Sequence, residues 1–370
     1  MNWRARISPK LLIIAAASAR PFVRAAAAAG YRVIAADAFC DEDTRQAAAQ
    51  AIQLGYARGG FEAADLSEKL FPLLSQVDGF VYGSGFETQP QLLDEISQHC
   101  PMLGNTAETV RITKDPGCFF SLLFSLGIPF PEISLLPPLE AEGWLCKRIG
   151  GSGGTHVMPG LQTDAPGRYY QRLVPGEPCS LLFLADGKRA NAVGWNVQLL
   201  APTAEMPYRY GGVVSQTELP QAVRVGLLEV AQQLTAELGL RGLNSLDCMV
   251  VDDGFAVLEI NPRLSASFAL YDSETQGARL FEAHLRACVD ELLPDFPAEP
   301  AQAHLIYYAP FDLAIPAMMA WPEWVADVPS GTTRIKAGEP VCTVTAAALT
   351  ASEAMTLAQT RVAELTQRIT

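Results

Sequence analysis

The tightest constraint on this chain lies in residues 242–263, where two apolar runs each carry an acid that a buried strand does not need. Leu246, Cys248 and Val250 alternate with Asp247, Met249 and Val251; Asp253-Gly254 forms a turn pair, and Phe255 to Ile260 runs back. This pattern is a two-stranded hairpin. Asp247 stands six residues before the turn pair and Glu259 five after it, which makes them near neighbours across the ladder. Asn261 shares the face of Glu259 by the two-residue period of a strand. Two carboxylates and an amide oxygen so close repel one another unless a hard cation sits among them, and Mg²⁺ prefers such oxygen ligands. A hard cation such as Mg²⁺ is therefore expected among Asp247, Glu259 and Asn261. Arg263, one period further, aims a planar cation at the anion that such a metal would hold. Pro262 stops the ladder where these polar groups must project, whereas Asp252 and Asp253 read as ordinary solvated acids.

An acidic hairpin needs a body to sit in. The chain has 370 residues and is 49% hydrophobic, enough for two or three cores. Its net charge of −13, with no basic stripe, argues against a nucleic-acid partner. Eight cysteines occur without any Cys-x-x-Cys, which argues against zinc ribbons and a small disulfide scaffold, and most sit in apolar runs as buried thiols. A reducing compartment, the cytoplasm, is the simplest expectation. Arg4, Arg6, Lys10, the run Leu11–Ala16 and Ala17-Ser18-Ala19 mimic a signal peptide, but the run is short and continues into a strand–helix–strand pattern. No run approaches a membrane span, so no membrane partner is expected.

The expected opening is a strand at 11–16, a helix over Phe22–Ala29 entered at Pro21 and stopped at Gly30, and a strand at Tyr31–Ala36. Its first turn, Ala-Ala-Ser-Ala-Arg, lacks Gly-x-Gly-x-x-Gly, so a nicotinamide site is rejected despite Asp37 at the tip of the second strand. A helix at about 61–75 and a strand at Gly79–Tyr82 come after it, leading to a loop that carries Glu87. A boundary is placed near 108, then a helix over Gly117–Leu126 behind Lys114. The strand Trp144–Ile149 runs into Gly150-Gly151-Ser152-Gly153-Gly154-Thr155-His156, four glycines in five residues. Such a loop offers unobstructed N–H groups to phosphate oxygens, with Ser152 and Thr155 as extra donors. It is no Walker A loop, because Lys147 precedes the glycines and no Gly-Lys-Ser/Thr comes after them. His156 reads as a loop donor, having no His or Cys companion nearby.

A strand-and-bend at Tyr169–Glu177, strands at Cys179–Leu184 and Asn191–Leu200, and a donor-rich loop Pro207–Gly212 come next. Pro220 opens a helix whose Val223, Leu227, Val230, Leu234 and Leu238 share one face before Gly239 ends it. After the hairpin, a helix is expected over Gln276–Leu293, and Pro294, Pro297 and Pro300 mark a second boundary. The tail reads as strands at 303–309 and 340–346 and a helix at about 352–368.

Taken together, Lys114, Lys147 with its glycine loop, Gln171 to Glu177, Asp247 and Glu259-Ile-Asn-Pro-Arg263 resemble the ATP-grasp superfamily over about residues 108–297. The nearest flavour is the group described as predicted ATP-dependent carboligases related to biotin carboxylase. Asp-Val-Pro-x-Gly at 327–331 and Gly338-Glu-Pro-Val-Cys-Thr-Val344 resemble that group's tail. The resemblance implies an α/β fold with an α+β ATP-grasp core. It has an N-terminal parallel α/β domain (1–108), two antiparallel sheets clasping ATP (109–297) and a small C-terminal β/α extension packed on the body (298–370). It also implies roles: Asp247, Glu259 and Asn261 would hold one or two Mg²⁺ ions, with Mn²⁺ as a substitute. Lys114 and Lys147 would neutralise the α- and β-phosphates, and Gly151, Ser152, Gly153, Gly154 and Thr155 would close over the β- and γ-phosphates. Gln171 and the backbone near Leu173 would meet adenine, Glu177 would approach the ribose, and Arg263 would face the transferred phosphoryl group. In one departure, the second acid that the family often carries after the position of Glu177 is here Pro178.

The activity this implies is a Mg-ATP-dependent carboxylate–amine ligase. A carboxylate would attack the γ-phosphate to give an acyl phosphate and ADP, and an amine would then displace phosphate. No general base for the amine is visible. Arg20, Glu87 and Tyr210 are the substrate candidates, with small-molecule carboxylates and amines as partners. The apolar tail either makes a homodimer contact or packs on the body. Two other functions compete: a carboxylase-type enzyme activating bicarbonate, although no Met-Lys-Met biotin-attachment sequence is present, and a nucleotide-binding regulator without turnover.

Overall fold

The computed structural model describes residues 11–161, 166–216, 218–252, 254–273, 276–289, 291, 296 and 299–369. Arg4, Arg6, Lys10, the turn residue Asp253, and Pro294 and Pro297 of the second expected boundary lie outside these residues.

The first layer grows from the opening strand–helix–strand pattern. Leu11–Ala15 is the hub of a parallel sheet, flanked by Arg32–Asp37 on one side and Gly79–Tyr82 on the other, with Gln50–Gln53 at the edge. Pro21 sits in the first turn of the helix Arg20–Ala28, where its missing N–H is harmless. The expected helix at 61–75 is broken into Ala63–Asp65, a wide π-type turn at Leu66–Leu70 and Phe71–Leu74. Pro72 cannot donate to the preceding turn, which accounts for the interruption.

Beside two short pairs, Tyr56–Ala57 with Gly60–Phe61 and Leu313–Ile315 with Thr333–Ile335, two antiparallel sheets make up most of the rest. The smaller has four strands, with Arg168–Arg172 between Ile133–Ser134 and Trp144–Arg148, and Met158–Pro159 at the edge. The larger has eight, running from the hairpin strands Gly254–Asn261 and Arg241–Val251 through Glu177–Asp186, Ala190–Leu200 and Tyr210–Gln216 to Ala301–Tyr308, Pro340–Ala348 and Val325–Ala326. The tail is thus not merely laid on the body. Ala301–Tyr308 pairs with Tyr210–Gln216, so the last strands extend the same ladder.

The larger sheet sorts its side chains by strand period. Leu181, Phe183, Leu246, Cys248 and Ile260 turn to the helix Gln221–Leu238, which buries Val223, Leu227 and Leu234 against them. On the other face, Leu182, Leu184 and Leu243 pack with Leu280 and Phe281 of the helix Gln276–Ala287 and with Phe22 of the first helix. One apolar cluster therefore joins the parallel layer to the large sheet. Phe22 and Phe268 meet edge-on at 5.1 Å within it.

A helix not expected from sequence, Ala107–Lys114, carries the chain out of the parallel layer towards the antiparallel sheets. Thr106 caps it by accepting the Thr109 N–H, and Lys114 is its last residue. Asp115 then caps the next helix, Pro116–Ser125, by accepting the Cys118 N–H.

Candidate active site

A cavity of about 800 Å³ opens between the two antiparallel sheets and reaches the carboxyl ends of the parallel strands. That is near the upper end of ordinary small-molecule sites, roughly 300–1,000 Å³. The acidic hairpin forms part of its wall. Asp247 pairs directly with Glu259, and the register slips between Asp247 and Cys248, so that Leu258 is an extra residue on the return strand. This bulge decides the site. Under strict alternation Glu259 would follow Val257 into the core; instead Val257 and Ile260 are both buried there, while Leu258 and Glu259 line the cavity.

The polar groups of the wall are bound to one another. Asn261 Nδ2 donates to Asp247 Oδ2 at 3.1 Å and to Glu259 Oε1 at 3.3 Å. Lys114 Nζ donates to Asn261 Oδ1 at 2.8 Å and lies 3.4 Å from Glu259 Oε2. Arg263 NH2 donates to the same amide oxygen at 3.2 Å, while its Nε donates to Glu87 Oε1. Burial alone would push both hairpin carboxyls up. At Glu259 the charges of Lys114 and Lys147 outweigh it and hold the carboxyl down, whereas at Asp247 the Glu259 charge adds to the upward push.

One atom is left over. Asp247 Oδ1 is buried without a hydrogen-bond partner, which is costly for a carboxylate oxygen unless a cation comes to it. The two carboxylates suit a hard divalent ion, so Asp247 and Glu259 fit Mg²⁺, and Asn261, whose Oδ1 here faces Lys114 and Arg263, joins them with its amide turned over. Among the described residues no set of three His, Cys, Asp or Glu side chains forms an alternative metal group.

Opposite, the smaller sheet presents Lys147 and Gln171, which are bonded to each other through Nζ and Oε1. Burial lowers the Lys147 pKa, against the upward pull of Glu259 and Asp247. Gln171 Nε2 is buried and unpartnered, a second donor awaiting an acceptor. Gly151 to Thr155 line the cavity, and the loop is fitted by close backbone approach. A Cβ on Gly154 would lie 1.8 Å from the Tyr208 carbonyl oxygen, and one on Gly151 would strike the His156 ring at 2.4 Å. Tyr210 N–H donates to the Gly153 carbonyl at 3.0 Å, so the donor-rich loop is latched to the glycine loop. Burial pushes His156 down to about 4, which keeps its imidazole neutral, and its Nδ1 has no partner.

Lys114, Lys147, the glycine loop, Gln171, Leu173, Asp247, Glu259, Asn261, Arg263, Arg20 and Tyr210 all line this one cavity. Two of the residues singled out by sequence do not. Glu177 begins its strand exposed to solvent, outside the lining. Glu87 is buried behind Arg263, where it also accepts the Gly85 N–H at 2.7 Å. Sequence reasoning missed Met249, although strand period puts it on the face of Asp247, and Leu258, which only the bulge exposes. It also missed the far wall, built from Asp41, His304, Asp327 and Thr343.

Residues 119–267 match the family model described as an ATP-grasp domain. No curated protein matches the chain by sequence. Solved structures match it nearly end to end. N5-carboxyaminoimidazole ribonucleotide synthetase from Thermotoga maritima is 16% identical with a TM-score of 0.68, over 95% of this chain and 97% of that one. Biotin carboxylase from Campylobacter jejuni is 14% identical with a TM-score of 0.70, over 93% and 89%. N5-carboxyaminoimidazole synthase from Aspergillus clavatus, solved with ADP and 5-aminoimidazole ribonucleotide, is 15% identical with a TM-score of 0.70, over 97% and 99%. At these identities the likeness speaks for the fold. No helix among the described residues is long and apolar enough to cross a membrane.

Proposed function

The chain carries an ATP-grasp domain, and on that premise we propose that it is a Mg²⁺- and ATP-dependent ligase. It activates a carboxylate as an acyl phosphate, joins it to an amine, and releases ADP and phosphate. The observation that carries this reading is the orphaned Asp247 Oδ1 in a wall of Glu259, Asn261, Lys114 and Arg263. That wall shares one cavity with Lys147 and the glycine loop.

Each group then has a task in phosphoryl transfer, where positioning and charge neutralisation do most of the work. Lys114 and Lys147 neutralise the α- and β-phosphates from two different walls. The N–H groups of Gly151 to Gly154 and the hydroxyls of Ser152 and Thr155 take the β- and γ-phosphate oxygens. Gln171, with a free buried Nε2, and the backbone near Leu173 read the adenine edge. Asp247, Glu259 and Asn261 would hold Mg²⁺, which when bound supplies charge neutralisation to the phosphates. Arg263 is fixed by Glu87 and presents its remaining N–H groups to the transferred phosphoryl. The division into 1–108, 109–297 and 298–370 belongs to the same proposal.

Bicarbonate is the second reading for the activated acid. The nearly full-length likeness to a biotin carboxylase and to N5-carboxyaminoimidazole ribonucleotide synthetase favours it. ADP release measured with Mg²⁺ and pairs of carboxylic acids and amines, against bicarbonate alone, separates the two. Release that needs both an acid and an amine is the expected result. Release with bicarbonate and no organic acid would replace the ligase reading with the carboxylase one.

A further inference from the structure

The end of the cavity furthest along the chain from the hairpin is made by the carboxyl ends of the parallel strands and by the tail. Ser18, Arg20, Phe39 and Asp41 come from the first, and His304, Asp327 and Thr343 from the second. Its charge is lopsided. Asp37, Asp43, Asp327 and Arg20 gather around Asp41, and the Arg20 guanidinium is committed: Nε donates to Asp327 Oδ1 at 2.7 Å and lies 3.6 Å from Asp43 Oδ2.

Three of the four aspartates are fully employed. Asp37 accepts the N–H groups of Ala19, Phe39 and Cys40. Asp43 accepts those of Asp327 and Val328 at 2.9 and 3.2 Å. Asp327 accepts from Ser18, Arg20 and Thr343. Asp41 is different. It stands at the N-cap of the helix Glu42–Ala47, yet its side chain makes no cap bond. Only 7% exposed, it lines the cavity and its carboxylate has no partner among the described residues. An N-cap role would explain a buried Asp here, and the missing bond removes that explanation.

Among the described residues, no side chain besides Arg20 brings a positive charge to Asp41 at this end. Arg45 spends its Nε on the Cys40 carbonyl at 2.7 Å. His304 is held neutral, its pKa pushed down to about 4 by burial, with Arg20 adding to the push and Asp327 opposing it. Asp272 adds a further acid within range of Arg20. A concave, partly dry pocket with excess negative charge draws cations and rejects anions.

We propose that this end of the cavity seats a positively charged amine, with the Asp41 carboxylate as its counter-ion. The inference deepens the ligase reading and rests on it: the amine substrate is a cationic amine whose ammonium docks on Asp41. Its carbon body lies against Phe39 and Phe22, which line the same end. Arg20, neutralised by Asp327 and Asp43, leaves an anionic amine such as a phosphate ester without a counter-charge.

The test is calorimetric titration of the full chain with n-butylamine, sodium butyrate and 1-butanol at matched ionic strength and about pH 9, where the Asp41 carboxyl is ionised and an alkylamine is still an ammonium ion, with MgATP titrated separately. Butylamine binding about tenfold or more tighter than butyrate is expected, with Asp41→Asn losing that margin and Asp41→Glu keeping most of it. Asp41→Asn gives up no hydrogen bond, so its melting temperature is expected not to fall. Butyrate binding as well as butylamine, no butylamine binding, or an unchanged affinity in Asp41→Asn would each overturn the proposal. Should MgATP bind and amine-dependent ADP release occur without a butylamine site, only this inference fails. A butylamine site without amine-dependent ADP release supports the cation pocket and removes the ligase reading.

Discussion

Arg263 and Glu87 lie 176 residues apart in sequence and meet at 2.5 Å, Nε donating to Oε1, with both side chains under a tenth exposed. This buried pair ties the end of the acidic hairpin to the loop after the last parallel strand. Arg263 also donates to the Leu264 carbonyl at 3.0 Å and to Asn261. Its orientation is therefore set before any anion arrives.

Glu87→Ala leaves that guanidinium buried without its counter-ion. A loss of about 3 kcal/mol or more in urea unfolding is expected. Unfolding indistinguishable from wild type would mean that the pair holds nothing together.

Glu259→Gln removes a carboxylate from the orphaned Asp247 and keeps the shape of the side chain. Mg²⁺-dependent ADP release should fall about 100-fold or more, while circular dichroism stays that of the wild type. Wild-type turnover in this variant would strike the metal site from the mechanism.

Gly153 and Gly154 both sit at positive φ, +67° and +71°, but only the second is crowded. Gly153→Ala meets nothing within 4 Å, so it carries only the left-handed penalty of about 1–2 kcal/mol. Gly154→Ala must in addition push the loop off the Tyr208 carbonyl. A larger drop in melting temperature and a larger rise in KM for ATP are expected for Gly154→Ala than for Gly153→Ala. Equal effects would show that the loop does not close on Tyr208.

Asp41 makes stability fall with pH. Burial first, then Asp327, Asp37 and Asp43, push its carboxyl from 3.8 up to about 8, with Arg20 opposing. Between those values the unfolded chain has the carboxyl ionised while the folded protein keeps it protonated. Folding then takes up a proton, and this group's contribution is present at low pH and lost as pH rises towards 8. Asp41→Asn removes the dependence. The melting-temperature difference in favour of the variant should grow between about pH 5 and about pH 8; a flat difference would contradict the raised carboxyl.

Much of the cleft was legible from residue order. The hairpin was readable because strand period and a turn pair are local, and Asp247 does face Glu259. The helix Gln221–Leu238 was readable from one apolar face and a glycine stop, and Gly239 does take the left-handed conformation. The glycine loop announced itself by composition. Each of these is written within about twenty residues, the range over which backbone period and turn chemistry operate.

Tertiary structure alone decided the rest. A bulge at Leu258, invisible in the alternation, turns Glu259 out of the core and into the cavity. The carboxylate of Glu87, readable only as a substrate acid, became the partner of Arg263 because Tyr82, just before its loop, bonds the Pro262 carbonyl through its hydroxyl and the Leu264 N–H through its carbonyl. The tail's strands joined the large sheet because Ala301–Tyr308 found the open edge of Tyr210–Gln216. That pairing brought Asp327 to Arg20 and left Asp41 alone beside them. Such contacts depend on which surfaces meet after collapse, and side chains 284 to 309 residues apart, as at Asp43–Asp327 and Ser18–Asp327, carry no mark of one another in the sequence.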